Sequence, residues 1–213
     1  MQVVIAGGHG KIALHLERLL ADSGHRVIAL IRSRDQDSDV REAGGEPVIC
    51  DLEQEDDLSH YVQGSDAVVF AAGAGPGSGP ERKKTVDLGA AVKLIDAAQR
   101  TGARRYLIIS SIGADDPAGG GEQMRPYLEA KAEADRQLAE SELDWTIVRP
   151  GRLTDDPGTG RVTVTTDMSV RGEVPREDVA RVIAASLGDP NSIGKTFVLV
   201  GGETPVDEAV AAL

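Results

Sequence analysis

Seven short apolar runs alternate along the chain with stretches of helical period, and few folds accept that alternation. Residues 3–6, 27–31, 47–50, 67–71, 106–109, 146–148 and 197–200 are apolar at nearly every position. Strands buried on both faces have this character, whereas a half-exposed strand shows every second residue to water. Between them, residues 11–23 carry Ile12, Leu16, Leu19 and Leu20 on one stripe and stop at Gly24. Residues 81–101 carry Val92, Ile95 and Ala98 and stop at Gly102. Residues 126–141 open on Pro126, which a first helical turn favours. Residues 176–187 carry Val179, Val182, Ile183 and Leu187. Strand and helix in repeated alternation predict an α/β fold, a doubly wound parallel sheet with helices on both faces. Three loops rich in Gly, Pro and Asp, at 73–80, 113–125 and 154–160, each follow a predicted strand. They are expected at the carboxyl edge of the sheet, either as plain surface connections or as a substrate lid.

The first strand runs into Gly7-Gly8-His9-Gly10-Lys11-Ile12-Ala13. A glycine pattern between a strand and a helix suits a dinucleotide pyrophosphate. Gly7 lets the chain turn, Gly10 lets the anion approach the backbone, and Ala13 keeps the helix close to the sheet. His9, Lys11 and Ile12 complete the turn at the helix N-terminus, whose free N–H groups and partial positive charge favour an anion. This is the Rossmann arrangement. Arg32-Ser33-Arg34 follows the second strand, where an acidic residue would take the ribose 2′-hydroxyl of NAD. A basic corner there suits a 2′-phosphate, so NADP(H) is expected rather than NAD(H), with Arg32 making a forked contact.

With these features the sequence resembles the atypical short-chain dehydrogenase/reductase superfamily, in its NmrA-like, NAD(P)H-binding branch. The likeness rests on the glycine turn, Asp51-Leu52, Ala71-Ala72-Gly73, Val86-Asp87-Leu88-Gly89 and Ile109-Ser110-Ser111-Ile112-Gly113. It continues in Tyr127-Leu128-Glu129-Ala130-Lys131, Thr146-Ile147-Val148-Arg149-Pro150-Gly151 and Arg176-Glu177-Asp178-Val179-Ala180. The resemblance implies that Asp51 and Leu52 sit beside the adenine and that Ala71, Ala72 and Gly73 line the cofactor ribose. It puts Pro150 and Gly151 near the nicotinamide, with Arg152 and Leu153 just beyond. From the residues alone, Asp51 equally suits a helix cap.

Tyr127 and Lys131, four apart, share a helical face. The resemblance sets Ser111 opposite that face, with Ser110 as a competitor. A Tyr hydroxyl can exchange a proton with a substrate oxygen while the nicotinamide exchanges a hydride, and a nearby ammonium favours the phenolate. Lys131 can also hold the nicotinamide ribose, and a Ser hydroxyl can stabilise charge developing on the oxygen. Asp87 stands where many short-chain enzymes carry an Asn. The expected function is NADP(H)-dependent hydride transfer to or from a small carbonyl or alcohol. A non-catalytic NmrA-like redox sensor, a flavin or quinone reductase and a sugar epimerase stay open as alternatives.

Composition narrows the partners. The net charge of −12 disfavours nucleic acid and anionic membranes. The single cysteine, Cys50, permits neither an internal disulfide nor a cysteine-based metal site, and no metal is expected. A cytoplasmic location fits, and no secretory leader is expected. The 213 residues suit one domain, with 150–175 as a small substrate-facing segment. The resemblance offers the helices at 81–101 and 126–141 as the contact of a homodimer.

Overall fold

The computed structural model describes residues 1–75 and 77–213; Pro76, within the expected loop 73–80, lies outside the described residues. The first half alternates strands β1 (Gln2–Ala6), β2 (Arg26–Ile31), β3 (Glu46–Ile49) and β4 (Ala67–Phe70) with helices α1 (Lys11–Asp22), α2 (Asp37–Glu42) and α3 (Ser59–Val62). A long helix follows in three parts: α4 (Pro80–Arg82), a π-helical stretch (Lys83–Ala90) and α5 (Ala91–Thr101). Then come β5 (Arg105–Ile109), α6 (Gly121–Ala139), β6 (Asp144–Pro150), β7 (Arg152–Thr154), β8 (Arg161–Thr165) and β9 (Glu173–Pro175). The chain ends with α7 (Arg176–Gly188), β10 (Lys195–Gly201), β11 (Thr204–Pro205) and α8 (Val206–Ala211).

The seven predicted runs are the parallel strands of one sheet, in the order β10-β6-β5-β4-β1-β2-β3. β8 adds antiparallel to β10, and β11 to β8. On one face Leu16 and Leu20 of α1 and Val179, Val182 and Ile183 of α7 bury Val3, Ile5 and Leu107. On the other, Leu94 and Ile95 of α5 and Ala134 and Leu138 of α6 bury Val4, Val68, Phe70 and Ile108. Successive strand residues therefore supply both layers, which is why the runs are continuous. The winding reverses between β1 and β4, so their carboxyl ends open a crevice at the switch point.

Three expectations change. α6 starts at Gly121, so Pro126 lies inside the helix rather than opening it, at the loss of one N–H donor. The glycines at 119–121 disguise that first turn, because Gly is a poor helix former. Residues 81–101 form a helix interrupted by the π-helical stretch. Within 150–175, β7 and β9 form a two-stranded ribbon and β8 extends the main sheet. Among the described residues no helix is long and apolar enough to cross a membrane.

Candidate functional site at the sheet switch point

The glycine turn is fixed by contact with the neighbouring strands. Gly7 has φ +82°, and a Cβ there would lie 2.6 Å from the Cα of Ala72. Gly8 is equally confined, since its Cβ would lie 2.6 Å from that of Ala29. Gly10 then leads into α1 with extended backbone and no side-chain cap. The first helical bond runs from Leu14 N–H to the Gly10 carbonyl at 2.9 Å. The N–H groups of residues 11–13 thus lack intrahelical acceptors, as at any helix start.

Two adjoining clefts open along this edge and share Ala71, Ala72, Gly73 and Ala74. The first, about 330 Å³, is lined by Gly7, His9, Gly10, Arg32, Asp51 and Leu52. The second, about 530 Å³, is lined by Ile12, Ser110, Ser111, Tyr127, Lys131, Pro150, Gly151 and Leu153. An elongated two-lobed space, floored by small residues and passing an uncapped helix start, fits a dinucleotide. Four sequence candidates are not brought to either cleft. Lys11 places its ammonium 2.6 Å from Asp155. Ser33 donates its hydroxyl to Asp35, and Arg34 opens a short exposed turn. Arg152 pairs with Glu173. Asp51 does not cap a helix; its Oδ1 accepts from Glu53 N–H at 3.0 Å in a local turn.

Sequence reasoning missed Gln36, Glu53 and Arg82 in the first cleft and Lys83, Gln123, Met124 and Arg176 in the second. The cation run at 82–84 was the available signal for Arg82 and Lys83. Arg82 reaches Glu53 at 3.3 Å, whereas the exposed Arg32 guanidinium has no ion-pair partner among the described residues.

α6 carries Tyr127, Lys131 and Asp135 at four-residue intervals, and the first two line the second cleft. Lys131 is 3% exposed, donates to the Ile109 carbonyl at 3.0 Å and lies 3.2 Å from Asp87 Oδ1. Its Nζ is 5.8 Å from the Tyr127 ring centroid. Burial works against its charge, but Tyr127 and Asp87 together outweigh burial and raise its proton affinity. Asp87 is fully buried in the π-helical stretch, and its Oδ2 accepts from Ala74 N–H at 3.1 Å. Ser110 donates to Asp135 Oδ2 at 2.8 Å. Asp135 also receives Arg149 Nε and Nη2 at 3.0 and 2.9 Å. Burial pushes the Asp135 carboxyl up, against the pull of Arg149 and Ser110. The Ser110 hydroxyl is committed to this network; that of Ser111 reaches only the Ile112 carbonyl, at 3.1 Å.

Replacing Asp87 with Asn keeps the acceptor for Ala74 and removes the counter-charge of Lys131. We expect a loss of about 3–5 kcal/mol of stability, read from the urea midpoint. An unchanged midpoint would show that Lys131 does not depend on that charge.

The family model of NAD(P)H-binding proteins matches residues 7–190. The chain belongs to the NAD(P)H-binding family. Within it, YhfK of Bacillus subtilis (strain 168), by name an uncharacterized sugar epimerase, is 36% identical over 100% of both chains. A Bacillus halodurans structure, named as a candidate NAD-dependent epimerase/dehydratase, is 41% identical with a TM-score of 0.96, covering 100% of both chains. The oxidoreductase ylbE of Lactococcus lactis is 27% identical with a TM-score of 0.87, covering 100% of this chain and 96% of its own. This NAD(P)H-binding protein is thus a single Rossmann unit of the oxidoreductase- and epimerase-like kind. Among its described residues no group of three or more His, Cys, Asp or Glu side chains is placed to hold a metal.

Proposed function

We propose that the protein is an NADP(H)-dependent oxidoreductase that acts on a small carbonyl or alcohol. The observation that carries this is the presence of Tyr127, a buried charged Lys131 and Ser111 in the cleft that continues from the glycine turn. The first cleft takes the adenosine half, with Arg32 on the 2′-phosphate and Asp51 and Leu52 beside the adenine. The N-terminus of α1 receives the pyrophosphate. Ala71, Ala72 and Gly73 line the ribose, and Pro150 and Gly151 border the nicotinamide, which supplies or accepts a hydride when bound. Tyr127 gives its Oη proton to the substrate oxygen, or takes it back in the reverse direction. Ser111 donates a hydrogen bond to the same oxygen as charge develops there. Lys131 favours the phenolate, and Asp87 holds Lys131 in place.

A sugar epimerase would use the same groups, and the name of the B. subtilis relative favours it. The second cleft, at about 530 Å³, favours a smaller substrate once the nicotinamide half is inside it. A redox sensor needs neither Tyr127 nor Lys131.

Fluorescence titration with NADPH and NADH tests the cofactor assignment. NADPH is expected to bind at least about tenfold more tightly, a difference of about 1.4 kcal/mol. Arg32→Ala should remove that preference and leave NADH affinity unchanged. Tighter NADH binding would remove the 2′-phosphate role of Arg32, and failure of both to bind would remove the oxidoreductase reading.

A further inference from the structure

The lining of the second cleft carries an excess of positive charge in a chain whose net charge is −12. Its charged members are Lys83, Asp87, Lys131 and Arg176. Asp87 and Lys131 neutralise each other at 3.2 Å. Arg176 lies 2.7 Å from Asp155, and Lys11 shares that same carboxylate at 2.6 Å, so one anion faces two cations. Lys83 has no ion-pair partner among the described residues, while its neighbour Lys84 pairs with Glu81. Lys83 is also only half-exposed. A concave, partly desolvated surface with uncompensated cations concentrates anions, and most strongly when the surrounding surface repels them. The dinucleotide's pyrophosphate does not need these cations, because the start of α1 already offers it N–H groups and a positive dipole end.

We infer that the second cleft selects a small substrate bearing a carboxylate, anchored by Lys83, with Arg176 adding positive charge to the same lining. This deepens the oxidoreductase reading and rests on it. The Lys83 ammonium, with no carboxylate of its own among the described residues, offers a substrate carboxylate a compact positive charge. With the nicotinamide half in place, a cleft of about 530 Å³ holds an acid about the size of a single ring.

The test is calorimetric titration of the whole protein, with and without saturating NADP+, using benzoate and its neutral isostere benzamide as probes. Benzoate is expected to bind the NADP+ complex at least about tenfold more tightly than benzamide. Lys83→Gln should weaken benzoate about tenfold, leave benzamide unchanged and leave NADP+ affinity within about threefold. Equal affinity of the two probes overturns the inference, as does binding of neither or a benzoate preference that survives Lys83→Gln. A variant that loses NADP+ affinity and keeps its benzoate preference also overturns it, because Lys83 then serves the cofactor phosphates. Wild-type protein that fails to bind NADP+ refutes the oxidoreductase reading instead, and the titration without NADP+ still decides whether Lys83 holds the carboxylate.

Discussion

Tyr127→Phe is expected to lower kcat by about 10²–10⁴-fold, the usual contribution of a positioned acid or base, with NADPH affinity unchanged. The substitution deletes one oxygen and keeps the ring that lies over the Lys131 ammonium, so packing in the second cleft is preserved. Tyr127 does not line the first cleft, where the adenosine half is proposed to bind. The measurement is steady-state NADPH oxidation on a carbonyl substrate, beside the fluorescence titration. Unchanged turnover would end the acid–base role and favour electron transfer to a flavin or quinone, which needs little proton donation. Lys131 is a poorer probe of the same chemistry. Removing its charge leaves Asp87 buried without a counter-ion, and a fall in activity would then mix catalysis with folding.

What the sequence revealed about this site follows from how local each signal is. The glycine turn was legible because its requirement is a backbone one: Gly7 must adopt a positive φ against Ala72. The Tyr127–Lys131 pair was legible because both lie on one helix at fixed spacing. Asp87 was visible as a departure from related sequences, but its bond to Lys131 was not, because it joins the π-helical stretch to α6, two helices separated by β5 in the sequence. The choice between Ser110 and Ser111 was open for the same reason: Asp135 on the following helix, held by Arg149 of β6, claims the Ser110 hydroxyl. Past the end of β2 the pattern could not follow the chain. Arg32 stays at the first cleft because its N–H bonds Gln36 as the backbone turns, and Ser33 and Arg34 are carried outside. The short strands β8 and β11 gave no continuous run, since they lie at the antiparallel edge and half their side chains face water.

Glu17→Gln is expected to reverse a loss of stability that the native chain suffers as pH rises. Glu17 lies on the buried face of α1, fully covered, and neither carboxyl oxygen has a hydrogen-bond partner. The Gly45 backbone lies against it, so that a Cβ on Gly45 would come within 2.9 Å of Oε2. Burial pushes its carboxyl from 4.5 up to about 8, against the pull of neighbouring Arg18. The folded chain therefore keeps a proton that the unfolded chain releases within that window. Stability is complete below about pH 4.5, falls across the interval and has lost the full contribution above about pH 8. The swing amounts to about 3–5 kcal/mol, a large share of the roughly 5–15 kcal/mol that holds a domain folded. Gln has the same shape and no proton to lose. Urea unfolding of both proteins at about pH 5 and about pH 9 should show the difference growing in favour of the variant by that amount. The comparison between variant and parent cancels the His residues and exposed acids, which titrate alike in both. Parallel profiles would mean that the α2–β3 corner opens to hydrate the carboxylate at little cost, and the tight contact at Gly45 makes that the less stable arrangement.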